Sequence, residues 1–290
     1  MRRTIDQPQS LLDALAALFP DSSRTTLRKM LQVGRVRVNG EAEVDAKRAL
    51  AKGDFIDVAQ KNVATLPPEL TLLHEDDDLL VVLKQNGLLT VATEREKETT
   101  AQAYLDEYLK AKKGGRVHVV HRLDRETSGV LVFAKNFKAR ERLKELFAEH
   151  DVERVYVAVI EGMMSPPSGT IRTHLLERPD LRMVSVRPRP EAKLAITHYK
   201  TVRTRGQWSM LEVTLETGRK NQIRAHLSEA GHPIVGDNFY GSTVNPLNRL
   251  GLHAQLLGFV HPATGEEMRF EAPLPRSFRD LFGEEIASGS

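Results

Sequence analysis

Short apolar runs recur along most of the chain and set the strongest limit on its fold. Each run is rich in Val, Ile and Leu, a composition that favours β-strands. Helical patterns are interspersed among them, most clearly over Phe137 to Phe147 and Gln222 to Ala230. Strands joined by both hairpins and helices predict a mixed sheet in an α+β domain. The runs are 79–83, 117–120, 130–134, 155–160, 194–202, 208–215 and 252–260.

The first sixty or so residues differ from the rest and predict a small separate module. Ser10 begins a first helix with a capping-box pattern, and Ser23 can cap a second helix that Gly34 ends. Two short strands follow, at 35–39 and 55–58. Two helices and a small hairpin therefore make up the predicted module.

A segment of weak periodicity separates this module from the apolar runs. It spans 62–69 and contains the pair Pro67-Pro68, which stiffens the backbone and is typical of a linker. The sequence thus predicts a module over 1–61, a linker over 62–69 and a large domain over 70–290. A chain of 290 residues is long enough for both parts.

Composition excludes several classes of function. The chain has no cysteine, which excludes disulfide frameworks, thiol nucleophiles and cysteine-bound zinc. No apolar run approaches the roughly 20 residues that cross a bilayer, and the first residues lack a signal-peptide pattern, so we expect a cytoplasmic protein. A net charge of +3 and a pI near 9.0 agree with a polyanionic partner.

Basic residues concentrate in the N-terminal module and suggest an RNA-binding surface. A positive face suits phosphates, but a solvated face explains such a cluster equally well when it is considered alone. The runs 23–31, 34–40 and 52–54, however, resemble the RNA-binding domain named after ribosomal protein S-four, over roughly residues 9 to 60. The resemblance implies that the module binds RNA. The cations are Arg24, Arg28, Lys29, Arg35 and Arg37.

A polar segment between two predicted strands is the main candidate for chemistry. It has the sequence His121-Arg122-Leu123-Asp124-Arg125-Glu126-Thr127-Ser128-Gly129. Loops braced by rigid strands often carry function. The residues by themselves also fit an ordinary turn, in which Asp124 and Thr127 cap backbone amides and Gly129 supplies the required conformation.

The segment resembles the active-site signature of RluA-type pseudouridine synthases. Residues 75–88 resemble the first motif of that family, and 218–226 with 231–237 resemble its third. The resemblance implies an α+β pseudouridine synthase fold with a mixed, mainly antiparallel sheet. It also implies an enzyme that isomerises uridine to pseudouridine in RNA. Gln85 in place of the usual proline, and Lys220-Asn221 in place of threonine and histidine, bear on substrate choice.

The resemblance assigns three catalytic residues. Asp124 is the essential carboxylate, Tyr156 is the active-site tyrosine, and Arg224 is expected to bind the Asp124 carboxylate through both edges of its guanidinium. Such a partner favours the ionised acid. Without the resemblance, Tyr156 on an alternating strand indicates core packing, and Arg224 indicates a helix-surface cation.

Five further residues are predicted to contact the substrate. Arg122 is implied to fill the space left by an extruded uridine, although a plain phosphate contact is the alternative. Leu123 and Ile223 are expected to form a dry wall, and apolar residues at such positions are also typical of a core. His121 and Lys84 complete the set.

The reaction that the resemblance implies needs no cofactor. The bond between ribose and a uracil nitrogen breaks, the base turns, and ring carbon five joins the same sugar carbon, so nothing is oxidised. No dinucleotide or phosphate-loop signature is present, and the histidines match no zinc motif. The carboxylate can act as nucleophile, base or electrostatic stabiliser, and the sequence leaves these open.

Several alternatives remain at the level of sequence. Large-subunit (23S) ribosomal RNA is the expected substrate, with transfer RNA as an alternative. The chain could also be a non-catalytic RNA-binding or ribosome-assembly factor, which the basic module alone would support. A glycosylase that releases free uracil is a further alternative. We expect no metal and, by default, a monomer.

Overall fold

The computed structural model describes residues 2–32, 35–58, 66–94, 96, 98–112 and 114–283. Within this part of the chain, the side chains of Lys29 and Gln32 are not described. The predicted helix end at Gly34 and residues 62–65 of the predicted linker lie outside it. The chain divides into two compact units, Met1–Thr65 and Leu66–Ser290.

The N-terminal unit combines two helices with short strands. The elements are β1 Arg2–Thr4, β2 Gln9–Ser10, α1 Leu11–Leu18, α2 Arg24–Gln32, β3 Val36–Val38, β4 Glu41–Ala42, β5 Ala49–Leu50 and β6 Phe55–Val58. A four-stranded sheet has the order β1-β6-β3-β4, and β2 pairs with β5. The Asn39-Gly40 turn leads into β4, which the sequence pattern did not indicate, while β6 pairs with β3 on its other side.

Hydroxyl groups fix the start of both helices of this unit. Ser10 Oγ accepts the amide hydrogen of Asp13 at 3.2 Å, and Ser23 Oγ accepts that of Thr26 at 3.2 Å. These bonds satisfy amides that the first helical turn leaves without a partner. The helices and strands enclose one core, whose most buried members include Leu11, Leu15, Leu27, Leu31, Val36, Val38 and Ile56.

The C-terminal unit is built on one large sheet. Its eleven strands follow the order β13-β12-β14-β15-β11-β16-β10-β8-β7, with β17 on β16 and β9 on β10. The pairing of β10 with β16 is parallel, and the others are antiparallel. The predicted α+β class with a mixed, mainly antiparallel sheet is therefore confirmed.

The strands and helices of this unit have the following bounds. The strands are β7 Leu70–Glu75, β8 Leu79–Lys84, β9 His118–Val119, β10 Ser128–Ala134, β11 Glu153–Glu161, β12 Ser168–Glu177, β13 Met183–Val186, β14 Lys193–Arg205, β15 Trp208–Leu215, β16 Leu252–Val260 and β17 Glu267–Glu271. The helices are α3 Ala101–Ala111, α4 Phe137–Glu149, α5 Gln222–Glu229 and α6 Arg276–Phe282, with a 3₁₀ turn at Asn238–Tyr240. No helix of the described residues is long and apolar enough to cross a membrane.

Helices cover both faces of the sheet around β8 and β10. Leu80 and Leu131 belong to the cluster that contains Leu105 of α3, while Val81 and Val132 belong to the cluster that contains Leu143 of α4. Alternate residues of a strand point to opposite faces, so strands covered on both sides are apolar throughout. This explains why the predicted runs are continuous rather than alternating.

A glycine permits the parallel contact between β10 and β16. Gly129 has φ +129°, and a Cβ atom there would lie 2.1 Å from the carbonyl oxygen of Ala254 on β16. Only glycine accepts both this conformation and this approach. The close contact places the loop that precedes β10 next to β16, which pairs on its other side with β11.

Candidate active site

A cavity of about 490 Å³ opens in the C-terminal unit. The loop before β10, the end of α4, strands β11 and β15, and the segment from Gly218 into α5 all contribute to its walls. Seven of the eight residues predicted from the sequence for catalysis or substrate contact line this cavity. They are His121, Arg122, Leu123, Asp124, Tyr156, Ile223 and Arg224.

Asp124 lies on a loop that is held on both sides of it. Thr90 Oγ1 donates to the carbonyl oxygen of Leu123 at 2.8 Å and accepts the Leu123 amide hydrogen at 3.2 Å. On the other side, the carbonyl oxygen of Asp124 accepts the Thr127 amide hydrogen at 3.1 Å. The side chain of Asp124 is 27% exposed, so its carboxylate reaches the cavity from a fixed backbone.

Arg224 does not bind Asp124 in the predicted two-edged manner. Its Nε and Nη2 donate to the carboxylate of Asp237 at 2.7 and 2.8 Å. Nη1 donates to Asn221 Oδ1 at 3.0 Å and lies 3.6 Å from Asp124 Oδ2. The predicted two-edged bond is made to Asp237 and not to Asp124. The side chain of Asp237 is only 1% exposed. Asp124 therefore receives one longer ionic contact.

Tyr156 projects from β11 and packs against the apolar clusters that contain Leu123 and Ile223. Burial raises the pKa of the Tyr156 phenol, although the charge of Arg154 opposes this effect. The hydroxyl therefore keeps its proton near neutral pH and remains a hydrogen-bond donor. Leu123 and Ile223 are 3% and 4% exposed, so they belong to the hydrophobic core and also line the cavity.

His121 is an uncharged part of the cavity wall. Burial lowers its pKa to about 3, and the nearby charge of Arg154 acts in the same direction. Its Nε2 lies 3.2 Å from the Val132 amide nitrogen, which donates to it, and its ring stacks on Phe147 with centroids 4.6 Å apart. The ring thus offers a flat surface and no positive charge.

Arg122 is exposed at the cavity. Within the described part of the chain its guanidinium makes no ion pair or hydrogen bond. A long planar cation in this position is free to reach a nucleic acid.

Lys84 does not contact the cavity, and its prediction as a substrate-binding residue is wrong. The residue is fully buried, and its ammonium donates to the carbonyl oxygens of Gln85, Leu88 and Arg125 at 3.0, 2.8 and 3.2 Å. Burial lowers the pKa of Lys84 to about 7. Because the side chain is fully buried, a substrate cannot reach it. Its hydrogen bonds instead connect the end of β8 to the loop that carries Asp124.

Residues outside the prediction also shape the site. Asp237, which fixes Arg224, falls in a segment that the sequence had grouped with the third motif, but no role followed from it. Arg249 Nη2 donates to Ser128 Oγ at 2.7 Å, and that hydroxyl also bonds to Nδ1 of His253 at 2.7 Å. This network ties the end of the Asp124 loop to β16.

The described residues contain one group close enough to hold a metal ion, formed by Asp76, Asp78 and His261. It lies apart from the cavity lining. Its groups already bond to protein atoms: Asp76 accepts from the amides of Asp78 and Leu79 and pairs with His261. The group is therefore not part of the candidate active site.

Comparison with known proteins settles the family. A family model described as RNA pseudouridylate synthase matches residues 78–229, which include Asp124, Tyr156 and Arg224. The chain belongs to the RluA family of RNA pseudouridine synthases. The predicted resemblance is confirmed for this domain. Members of the family are isomerases that act on RNA, and the predicted enzyme class is confirmed with it.

Relatives match nearly the full length of this pseudouridine synthase. The ribosomal large subunit pseudouridine synthase D of Vibrio cholerae is 32% identical, with 92% of this chain and 88% of that protein covered. The RNA pseudouridine synthase YjbO of Bacillus subtilis is 34% identical, with 86% and 89% covered. Among solved structures, human RNA pseudouridylate synthase domain containing 4 is 28% identical with a TM-score of 0.63, covering 73% of this chain and 92% of that one.

Proposed function

We propose that this pseudouridine synthase modifies uridines in large-subunit (23S) ribosomal RNA and that Asp124 is its catalytic carboxylate. The observation that carries the catalytic proposal is that Asp124, Tyr156 and Arg224 share one cavity. The ribosomal substrate is supported by the names of relatives such as the large subunit synthase D of Vibrio cholerae and of Neisseria meningitidis, the latter 35% identical over 93% of this chain.

The target uridine has to leave its stack before Asp124 can reach the sugar. Extrusion costs about a few kcal/mol, and the exposed guanidinium of Arg122 offsets part of it by stacking in the vacated space. The ring of Tyr156 then lies against the base, with its protonated hydroxyl near the ribose.

Asp124 acts when the bond between ribose and uracil N1 breaks. Positive charge develops on the sugar carbon, and the carboxylate stabilises or captures it. The base turns and ring carbon five bonds to the same sugar carbon, which breaks any bond between that carbon and the carboxylate. A proton then leaves ring carbon five and a proton is taken up at N1, so the sum of atoms is unchanged. Arg224, fixed by Asp237, keeps a positive charge 3.6 Å from Asp124, on the side of the carboxylate that faces α5.

Apolar walls keep the free uracil in the cavity during this turn. Leu123, Ile223 and Leu252 line it and are each less than a tenth exposed. Exclusion of water prevents capture of the sugar by hydrolysis. The uracil is therefore rebonded and not released.

Replacement of the carboxylate tests the catalytic proposal. Asp124→Asn should lower the rate of pseudouridine formation by about a thousandfold or more while RNA affinity stays unchanged, because the amide carries no negative charge. The matched control is Glu126→Gln, an exposed acid of the same loop, which should keep its activity. Retained isomerisation in Asp124→Asn would falsify the assignment, and release of free uracil by the wild type would indicate a glycosylase.

Pseudouridine mapping in total RNA tests the substrate. Cells without this gene should lack specific pseudouridines in large-subunit ribosomal RNA, and the wild-type gene should restore them while the Asp124→Asn gene should not. Loss of sites from transfer RNA alone would reject the ribosomal proposal and leave the enzymatic one.

We also propose that the N-terminal unit is an S-four-type RNA-binding domain. Arg28 and Arg37 are exposed there, Arg35 is half-buried, and Arg24 pairs with Asp13 at 3.1 Å. Exposed cations that contact phosphates release counter-ions, so binding weakens as salt rises.

The double variant Arg28→Gln, Arg37→Gln tests this surface. It should reduce the slope of log affinity against log salt concentration by about 2, as two lost phosphate contacts require. Arg276→Gln, an exposed arginine of the C-terminal unit paired with Asp280, is the control. An unchanged slope in the double variant would exclude these cations from the RNA interface.

A further inference from the structure

Arg154 is a buried cation that has no carboxylate partner among the described residues. It lies on β11 two positions before Tyr156, lines the same cavity and is 7% exposed. Its Nη2 donates to the carbonyl oxygens of Leu215 and Glu216 at 3.2 and 3.0 Å. Carbonyl dipoles orient a guanidinium but do not neutralise its full charge. The positive charge of Arg154 is thus fixed in place and uncompensated.

The neighbours of Arg154 supply packing and no negative charge. The Phe147 ring centroid lies 5.8 Å from the guanidinium carbon, and His121 stacks on the same Phe147 ring. The His121 imidazole is neutral, since burial and the charge of Arg154 lower its pKa. A buried charge without a counter-ion is costly to a fold, and such costs concentrate at functional sites.

The lack of a side chain at Gly218 makes room for Nη1 of Arg154. A Cβ atom at Gly218 would lie 2.7 Å from Nη1 of Arg154. Gly218 lines the cavity as well, and Nη1 donates no hydrogen bond within the described part of the chain. Two N–H groups of a guanidinium beside an open glycine backbone suit an anionic oxygen.

The charge distribution of the cavity lining agrees with an anionic ligand. Its described residues include one carboxylic acid, Asp124, and four arginines. Asp237 already compensates Arg224, while Arg122 is exposed and Arg219 is half-buried with Nε bonded to a carbonyl oxygen. Arg154 is the arginine of this lining that is both deeply buried and without an acid.

We propose that Arg154 binds a phosphate of the nucleotide that enters the cavity. This inference rests on the proposed function, because an RNA strand brings a phosphate on each side of an extruded uridine. Arg154 then fixes the sugar-phosphate backbone on the wall next to Tyr156, while Asp124 acts on the ribose.

Binding of single nucleotides to the full chain tests the inference. The probes are uridine, uridine 5′-monophosphate and uridine 3′-monophosphate, measured by calorimetry or by ligand-detected NMR. One of the monophosphates should bind the wild type at least about tenfold more tightly than uridine, as a charge-assisted contact requires. Arg154→Met should reduce that preference about 10- to 100-fold and leave uridine affinity nearly unchanged.

Two further variants keep the test decisive. Gly218→Ala fills the space beside Nη1 and should weaken the same preference even if Arg154→Met fails to fold. Arg142→Met removes an exposed arginine of α4, paired with Glu145, and should leave the preference intact. The inference is overturned if the wild type does not prefer either monophosphate, or if the preference survives in the Arg154 and Gly218 variants.

The outcome is separable from that of the proposed function. Pseudouridine formation is scored on RNA with the wild type and Asp124→Asn, whereas phosphate preference is scored on nucleotides. A chain that prefers a monophosphate through Arg154 and forms no pseudouridine would support this inference and refute the proposed reaction. A chain that forms pseudouridine but binds neither monophosphate more tightly than uridine would support the proposed reaction and refute this inference.

Discussion

Arg224 brings a positive charge within 3.6 Å of Asp124, and its position is set by Asp237. Nε and Nη2 of Arg224 donate to Asp237 and are therefore not available to Asp124. Nη1 is the guanidinium nitrogen that faces Asp124. The ring of Tyr240 lies 4.9 Å from the guanidinium carbon and supports it from one face. Asp237 is thus a positioning residue for the charge that faces Asp124.

Asp237→Asn should lower kcat about 10- to 100-fold with a smaller effect on KM. The amide offers one acceptor and no charge, so Arg224 is released toward Asp124 and the alignment of the carboxylate with the sugar is lost. Steady-state kinetics and thermal unfolding of the same preparation check this. An unchanged kcat in a folded variant would exclude the positioning role.

Linear motifs made part of this site predictable. Asp124, Tyr156 and Arg224 followed from resemblance over contiguous residues, and all three line the cavity. The contacts of Arg154 lie 61 and 62 positions away along the chain, and no spacing rule in the sequence indicates them. Lys84 was misassigned because a motif gives the residue type but not whether its ammonium faces substrate or protein carbonyls.

At the level of elements, the contact between β10 and β16 depends on one glycine. Gly129→Ala should lower the free energy of unfolding by more than about 3 kcal/mol. The new Cβ atom would lie 2.1 Å from the carbonyl oxygen of Ala254, and alanine rarely adopts the φ of +129° found at this position. Gly265→Ala is the matched control. Gly265 has φ +78° but no atom within 4 Å of the position of a Cβ, so this substitution should lower the free energy of unfolding by only about 1 kcal/mol. Equal urea-unfolding free energies for the two variants would contradict the assigned contact.

Coverage by helices decided which elements the sequence could predict. β8 and β10 are buried on both faces and produced clear apolar runs. β12 is mostly exposed or half-buried, so its sequence has no such run and no strand was predicted there. α3 was also missed, although its buried Ala101, Leu105 and Leu109 recur every four residues. That stripe is narrow and lies among polar residues, so it is a weaker signal than the stripe of α4.

At the level of the whole molecule, two buried histidines and the half-buried His121 couple folding to pH. Burial lowers the pKa of His121 to about 3 and the pKa values of His226 and His253 to about 4. The unfolded chain takes up these protons near pH 6.5, whereas the folded chain does so only well below it. Their stabilisation is therefore present above pH 6.5 and is lost as pH falls toward 4.

The free energy of unfolding should drop between pH 7.5 and pH 5.0 by about 2 kcal/mol for each of these histidines. His226→Gln keeps a neutral polar group beside Thr173 and Thr197. Between the same two pH values, its free energy of unfolding should fall by about 2 kcal/mol less than that of the wild type. Urea unfolding at the two pH values measures it. Identical losses in the two proteins would show that His226 binds its proton equally well when folded and unfolded.

The order of strands in the large sheet also governs when the molecule becomes competent during synthesis. Asp124 precedes β10 and Tyr156 lies on β11, yet these strands do not pair, because β16 lies between them. A nascent chain that ends before Leu252 has both residues but lacks the strand that sets their separation. A ribosome must therefore translate past β16 before the growing chain can bring Asp124 and Tyr156 to their places in the cavity.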